Sequence, residues 1–87
     1  MERIFKYEFK IENSFQIEMP MHAKILSIQV QKGVPCIWAM VDDKRQFERR
    51  SFVVYGTGHK IDDRYINKYI GTFQLLEGGF VGHLFEI

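Results

Sequence analysis

IFKYEFKI, Ile4–Ile11, alternates without a break: Phe5, Tyr7, Phe9 and Ile11 fall on one face, Lys6, Glu8 and Lys10 on the other. A period of two is the mark of a strand with one face buried. Asn13-Ser14 punctuates the run, and FQIEM resumes it through Phe15, Ile17 and Met19. Two short strands joined by a polar link read as a hairpin. Pro20 ends the second, because it has no N–H to give to a ladder.

The pattern repeats down the chain. In AKILSIQVQ, straight alternation puts Lys24, Leu26, Ile28 and Val30 on one face and Ile25, Ser27 and Gln29 on the other. Lys32-Gly33 supplies a turn. VPCIWAMVD is apolar on both faces, which predicts a central strand covered on each side. Asp42 to Arg45 form a charged loop, and QFERRSFVVY is a fifth strand. IDDRYINKY carries Asp at a plausible N-cap and Ile61, Tyr65, Ile66 and Tyr69 at near-helical spacing, which predicts one or two helical turns. YIGTFQLL and GFVGHLFEI then make a last hairpin around Glu77-Gly78-Gly79, where hairpin turns need positive φ. The expected fold is all-β, or β-rich with one short helix: a small antiparallel sandwich or barrel of about seven strands, as a single domain over residues 1–87.

Composition narrows the function classes. Of 87 residues, 46% are hydrophobic, and eight Phe, four Tyr and one Trp suit pleated, half-buried surfaces. A formal net charge of +1 provides no overall field for duplex nucleic acid or anionic lipid. Cys36 is the sole cysteine, so no internal disulfide is expected. MERIFKYEFK lacks the apolar core of a signal peptide, and no apolar run approaches the roughly 20 residues of a membrane helix. A cytoplasmic protein with no membrane contact is the expectation.

YGTGHKI, Tyr55–Ile61, raises the sharpest functional question. Gly56 and Gly58 would let backbone amides approach an anion, with His59, Lys60 and Arg64 adding donors. The same glycines read first as a turn leaving a strand, and as an anion site second. The spacing is neither a Walker loop nor a dinucleotide fingerprint. Lys44, Arg45, Arg49 and Arg50 are interleaved with Asp42, Asp43 and Glu48, a poor pattern for phosphate neutralisation along a duplex. On a strand Arg49 and Arg50 point to opposite faces; the inward one would be a candidate for bidentate phosphate contact.

His22, His59 and His83 lack the paired spacing of zinc sites. His83 shares a face with Val81 and Phe85 and reads as a satisfied core or interface histidine. Ser14, Ser27 and Ser51 have no nucleophile setting, and Cys36 lies among apolar neighbours. No catalytic residue, metal or cofactor is therefore expected. Gly71, Gly78, Gly79 and Gly82 beside Phe73, Phe80 and Phe85 suit a pocket floor, a dimer seam or simple sheet curvature.

AKILSIQVQKGVPCIWAMVD, YGTGHKI and YIGTFQLLEGGFVGHLFE together resemble an uncharacterised family of small phage and prophage proteins, with the recurring pattern G-V-P-C-x-W-A, G-T-G-H and Y-I-G-T-F. The resemblance covers nearly the whole chain and brings no family role for any residue. By analogy of size it implies a counter-defence factor in the host cytoplasm. The first expectation is a non-catalytic homo-oligomer that sequesters a nucleotide-like anionic signal: Gly56, Gly58, His59, Lys60 and Arg64 would hold phosphate, and Trp38, Tyr55 or Tyr69 would stack a base. The alternative is an inhibitor or accessory module, similar in economy to anti-CRISPR proteins, that binds a host defence protein or a phage protein through a sheet edge or aromatic patch.

Overall fold

The computed structural model of the chain describes residues 1–62 and 68–87. Its strands are β1 (Glu2–Glu8), β2 (Ser14–Pro20), β3 (Lys24–Gln31), β4 (Val34–Asp42), β5 (Phe47–Gly56), β6 (Lys68–Leu75) and β7 (Phe80–Glu86). They form two antiparallel sheets, ordered β1-β4-β3 and β2-β5-β7-β6, packed face to face without closing into a barrel. Met19, Ile37, Ala39, Val41, Phe52 and Leu84 are almost wholly buried between them. Each large apolar side chain so placed contributes about 1.5–3 kcal/mol.

The expected β1–β2 hairpin does not form. β1 pairs with β4 and β2 with β5, so the connecting segment crosses from one sheet to the other. Both strands still bury their apolar faces, but from opposite sides of the core. Phe9 and Phe15 stack across the crossing with ring centroids 4.5 Å apart. Alternation reports which face is buried; it is silent on which neighbour the edge bonds.

A register shift between Ile25 and Ser27 changes the reading of β3. The extra residue of a bulge reverses the alternation, so Ile25, Ile28 and Val30 pack on the core while Leu26 is exposed. β4 is central in its sheet, as its composition predicts, but is covered on one side only. Ile37, Ala39 and Val41 face the other sheet; Trp38 and Met40 are half-exposed on the outer face, with the Lys6 ammonium 5.9 Å from the Trp38 ring centre. Cys36 is fully buried.

Turn chemistry follows the sequence in one hairpin and departs from it in another. Lys32 (φ 52°) and Gly33 (φ 79°) both take positive φ, as a two-residue turn of the primed type requires. In the β6–β7 connection, Leu76, Glu77 and Gly78 take positive φ, while Gly79 has φ −68°. The segment expected to be helical lies largely on residues 63–67, outside the described residues; Lys68 and Tyr69, its last two, are strand.

Gly71 and Gly82 serve close packing. A Cβ on Gly71 would lie 2.5 Å from Ile28 Cγ2, where β6 meets β3, and one on Gly82 would lie 2.6 Å from the ring of Phe73. Arg50 is the inward arginine. Its Nε and Nη2 donate to the two carboxylate oxygens of Glu86 at 2.7 and 2.8 Å, and Nη1 donates to the Ala23 carbonyl just before β3. The fork is thus filled by the protein itself and is not free for phosphate. Arg49 is exposed, 3.6 Å from Glu18.

Two outcomes follow. Arg50→Met leaves the Glu86 carboxylate enclosed without a cation and should cost about 2–4 kcal/mol in urea unfolding, with Glu86→Gln costing less. Burial raises the Tyr7 phenol above its ordinary 10.0. Because the folded state favours the neutral phenol, its stability contribution is complete below pH 10 and is lost as pH climbs through the raised folded value. A Tyr7→Phe variant should therefore show a flatter alkaline limb in Tm against pH.

Candidate functional site

The outer face of the four-stranded sheet is where aromatic and polar groups converge. Register sets Tyr55 opposite His83, Val53 opposite Phe85, and Tyr69 opposite Phe85. Tyr55 and Phe85 meet edge-on at 5.9 Å; Tyr69 and Phe85 are tilted at 5.3 Å. Tyr69 is 54% exposed, which leaves much of its ring open to solvent.

Beside the rings runs a line of hydrogen bonds. Tyr69 Oη is 2.6 Å from Thr72 Oγ1, which is 2.9 Å from His83 Nδ1; His83 Nε2 is 2.7 Å from Thr57 Oγ1. In a regular strand, residues three apart face opposite ways. The register shift between Tyr69 and Gly71 puts Tyr69 and Thr72 on the same side. His83 is satisfied, as its strand position suggests, but by two surface hydroxyls rather than by the core.

The loop after β5 answers the question posed by YGTGHKI at the level of the main chain. His59 N–H donates to the Gly56 carbonyl at 3.1 Å, and Gly58 takes φ 86°. A four-residue turn with positive φ at its third position is the type II arrangement. Thr57 N–H donates to the Val81 carbonyl at 3.4 Å. Two of the amides expected to cradle an anion are therefore engaged within the protein. The space over Gly56 is filled as well, because a Cβ there would lie 2.8 Å from His59 Cε1. A shallow cleft of about 330 Å³ remains between this turn and the β6–β7 connection, lined by Gly56, Thr57, His59, Gly79, Phe80 and Val81.

Of the residues singled out by sequence, the fold brings Tyr55 and Tyr69 onto the outer face of the four-stranded sheet; Gly56, Gly58 and His59 form the turn at the end of β5, with the His59 ring over Gly56 on the face that carries Phe52 and Val54, and exposed Lys60 follows directly. Arg64 lies outside the described residues. Trp38 is not part of this region: it projects from the outer face of the other sheet, with the whole core between. Thr57, Thr72, His83 and Phe85 join the region without having been singled out as ligand groups. The shared face of His83 and Phe85 was legible by alternation; Thr72 was hidden by the bulge. Among the described residues no three His, Cys, Asp or Glu side chains group as metal ligands, and no helix is long and apolar enough to cross a membrane.

No curated protein and no solved structure matches the chain. The family described as Domain of unknown function (DUF7352) matches it over residues 1–87, and the chain belongs to that family.

Proposed function

We propose that this chain is a non-catalytic binding domain that sequesters a nucleotide-like anionic molecule on the outer face of its four-stranded sheet. The observation that supports the reading is the Tyr55–Phe85–Tyr69 cluster lying beside an exposed hydrogen-bonding line and a loop bearing His59 and Lys60. A base stacks on Tyr69, the most open of the rings, with about 1–3 kcal/mol per stacked base. Thr57 and Thr72 offer hydroxyls to its edge or to a ribose. Phosphate is met by the side chain of Lys60, since the Thr57 and His59 amides are already engaged and the His59 ring lies over Gly56. The setting is the cytoplasm of a phage-carrying host, and the purpose is removal of a defence signal by binding, without turnover.

A second reading is favoured by one specific observation. The three-stranded sheet also has an open outer face, on which half-exposed Trp38 and Met40 lie beside Ile4, 62% exposed. Such a face suits a protein partner, and an inhibitor or accessory module acting on a host or phage protein would use it.

Native mass spectrometry of the protein purified from cells, beside a denatured sample, reports any retained small ligand by mass. Calorimetry against mono-, di- and cyclic nucleotides then tests the site. Tyr69→Ala should weaken binding by about 5- to 150-fold, and Lys60→Ala should weaken it in a salt-dependent way, both with Tm unchanged. Absence of binding across the panel, with a nuclease-insensitive stoichiometric protein recovered by pull-down, would replace this reading with the second.

A further inference from the structure

Four strands lie at sheet edges, and two are interrupted. β3 and β6 each carry a register shift, while β2 pairs without one but ends in Pro20, which has no N–H to offer. β1 has neither: its pairing to β4 runs through seven consecutive partners from Glu2–Asp42 to Glu8–Cys36. Among the described residues no strand pairs with its other side. Natural sheets usually blunt a long regular edge of this kind.

The hydrogen-bond phase of that edge can be read directly. Phe9 N–H donates to Pro35 O at 3.1 Å and Asp43 N–H to Met1 O at 3.3 Å, both on the register line of the β1–β4 pairing. In an antiparallel ladder, alternate residues point their main-chain groups at one neighbour. The odd-numbered residues of β1 thus bond β4, and Glu2, Ile4, Lys6 and Glu8 direct their N–H and C=O groups to the open side. Those same four send their side chains to the outer face, opposite Asp42, Met40, Trp38 and Cys36.

We infer that this edge is the contact through which two copies of the chain associate, β1 pairing antiparallel with β1 of a second copy about a two-fold axis at Ile4. That register sets Glu2 opposite the second copy's Lys6, and Lys6 opposite its Glu2, with the two Ile4 side chains meeting on the axis. It also keeps the free donors and acceptors in phase, giving about six main-chain hydrogen bonds. Moving the axis to Phe5 would set Glu2 against Glu8, and moving it to Lys6 would set lysine against lysine. Opposed opposite charges favour a cross-strand pair and like charges disfavour it. The result is a continuous six-stranded sheet with both Trp38 rings on one outer face. The inference is independent of what, if anything, binds at Tyr69.

Sedimentation and native mass spectrometry across a concentration series test it. The wild-type chain should be a dimer. Glu2→Lys alone and Lys6→Glu alone should each raise the dimer dissociation constant at least tenfold with Tm nearly unchanged, and the double exchange should restore it. Ile4→Cys should cross-link under mild oxidation, because paired Cα atoms in this geometry are about 5.5 Å apart, within disulfide reach; Gln74→Cys, exposed on β6, should not. A monomer at all concentrations, a dimer indifferent to both single reversals, or equal cross-linking of the two cysteine variants would overturn the inference.

Discussion

Five phenylalanine rings run through the core from one end of the chain to the other. Phe52 stacks on Phe15 at 5.5 Å, Phe15 on Phe9 at 4.5 Å, Phe9 meets Phe73 edge-on at 6.0 Å, and Phe73 leans on Phe80 at 6.3 Å. The members come from β5, β2, the segment after β1, β6 and β7, so the line ties all four strands of the larger sheet to the crossing that leaves β1. Each contact contributes about 0.5–1.5 kcal/mol beyond simple burial. Its larger effect is geometric. Phe9 reaches Phe15 because the chain leaves one sheet and enters the other there, and Gly82 must stay bare because Phe73 lies on it. The sandwich, the edge position of β1 and the open outer faces all depend on that crossing.

Much of this was legible in the residues, and the exceptions share a cause. Period-two alternation located every strand and the buried face of most, because pleating is a local property of the chain. It placed β1 and β2 in a hairpin because a corner between sheets and a turn within one sheet leave the same alternating trace. It grouped Leu26 with Ile28 and Val30 because a bulge adds a residue without changing composition. At the candidate site, Tyr55 and Tyr69 share the outer face of the four-stranded sheet, on the two strands that flank β7, whereas Gly56, Gly58 and His59 belong to the turn that ends β5. Trp38 was misplaced because a chain does not say which outer face a strand presents until the sheet order is known. The anion cradle at Gly56–His59 was read from glycine freedom, which is equally what a type II turn and a histidine folded over it require.

The two sheets present different surfaces to solvent. The outer side of the three-stranded sheet is apolar at its middle and charged along β1, a pattern suited to extension by another strand. The outer side of the four-stranded sheet combines rings with hydroxyls and an imidazole, a pattern suited to a compact ligand with a flat face and polar edges. Arg50, tied to Glu86 and Ala23 between the sheets, takes no part in either. It holds β5, β7 and the approach to β3 together, leaving both surfaces to side chains that the core does not need.

The line from Tyr69 to Thr57 has a property that its distances alone do not express. A neutral imidazole donates from one nitrogen and accepts at the other. With the proton on Nε2, donation runs from Tyr69 through Thr72 and His83 to Thr57; with the proton on Nδ1, every link runs the other way. No heavy atom moves between the two settings. At one end of the line the Thr57 hydroxyl keeps a free hydrogen in the first setting and a free lone pair in the second, and the Tyr69 phenol does the reverse. The same rigid surface can therefore meet a guest that offers hydrogens or one that offers lone pairs, the choice being made by a single proton on His83.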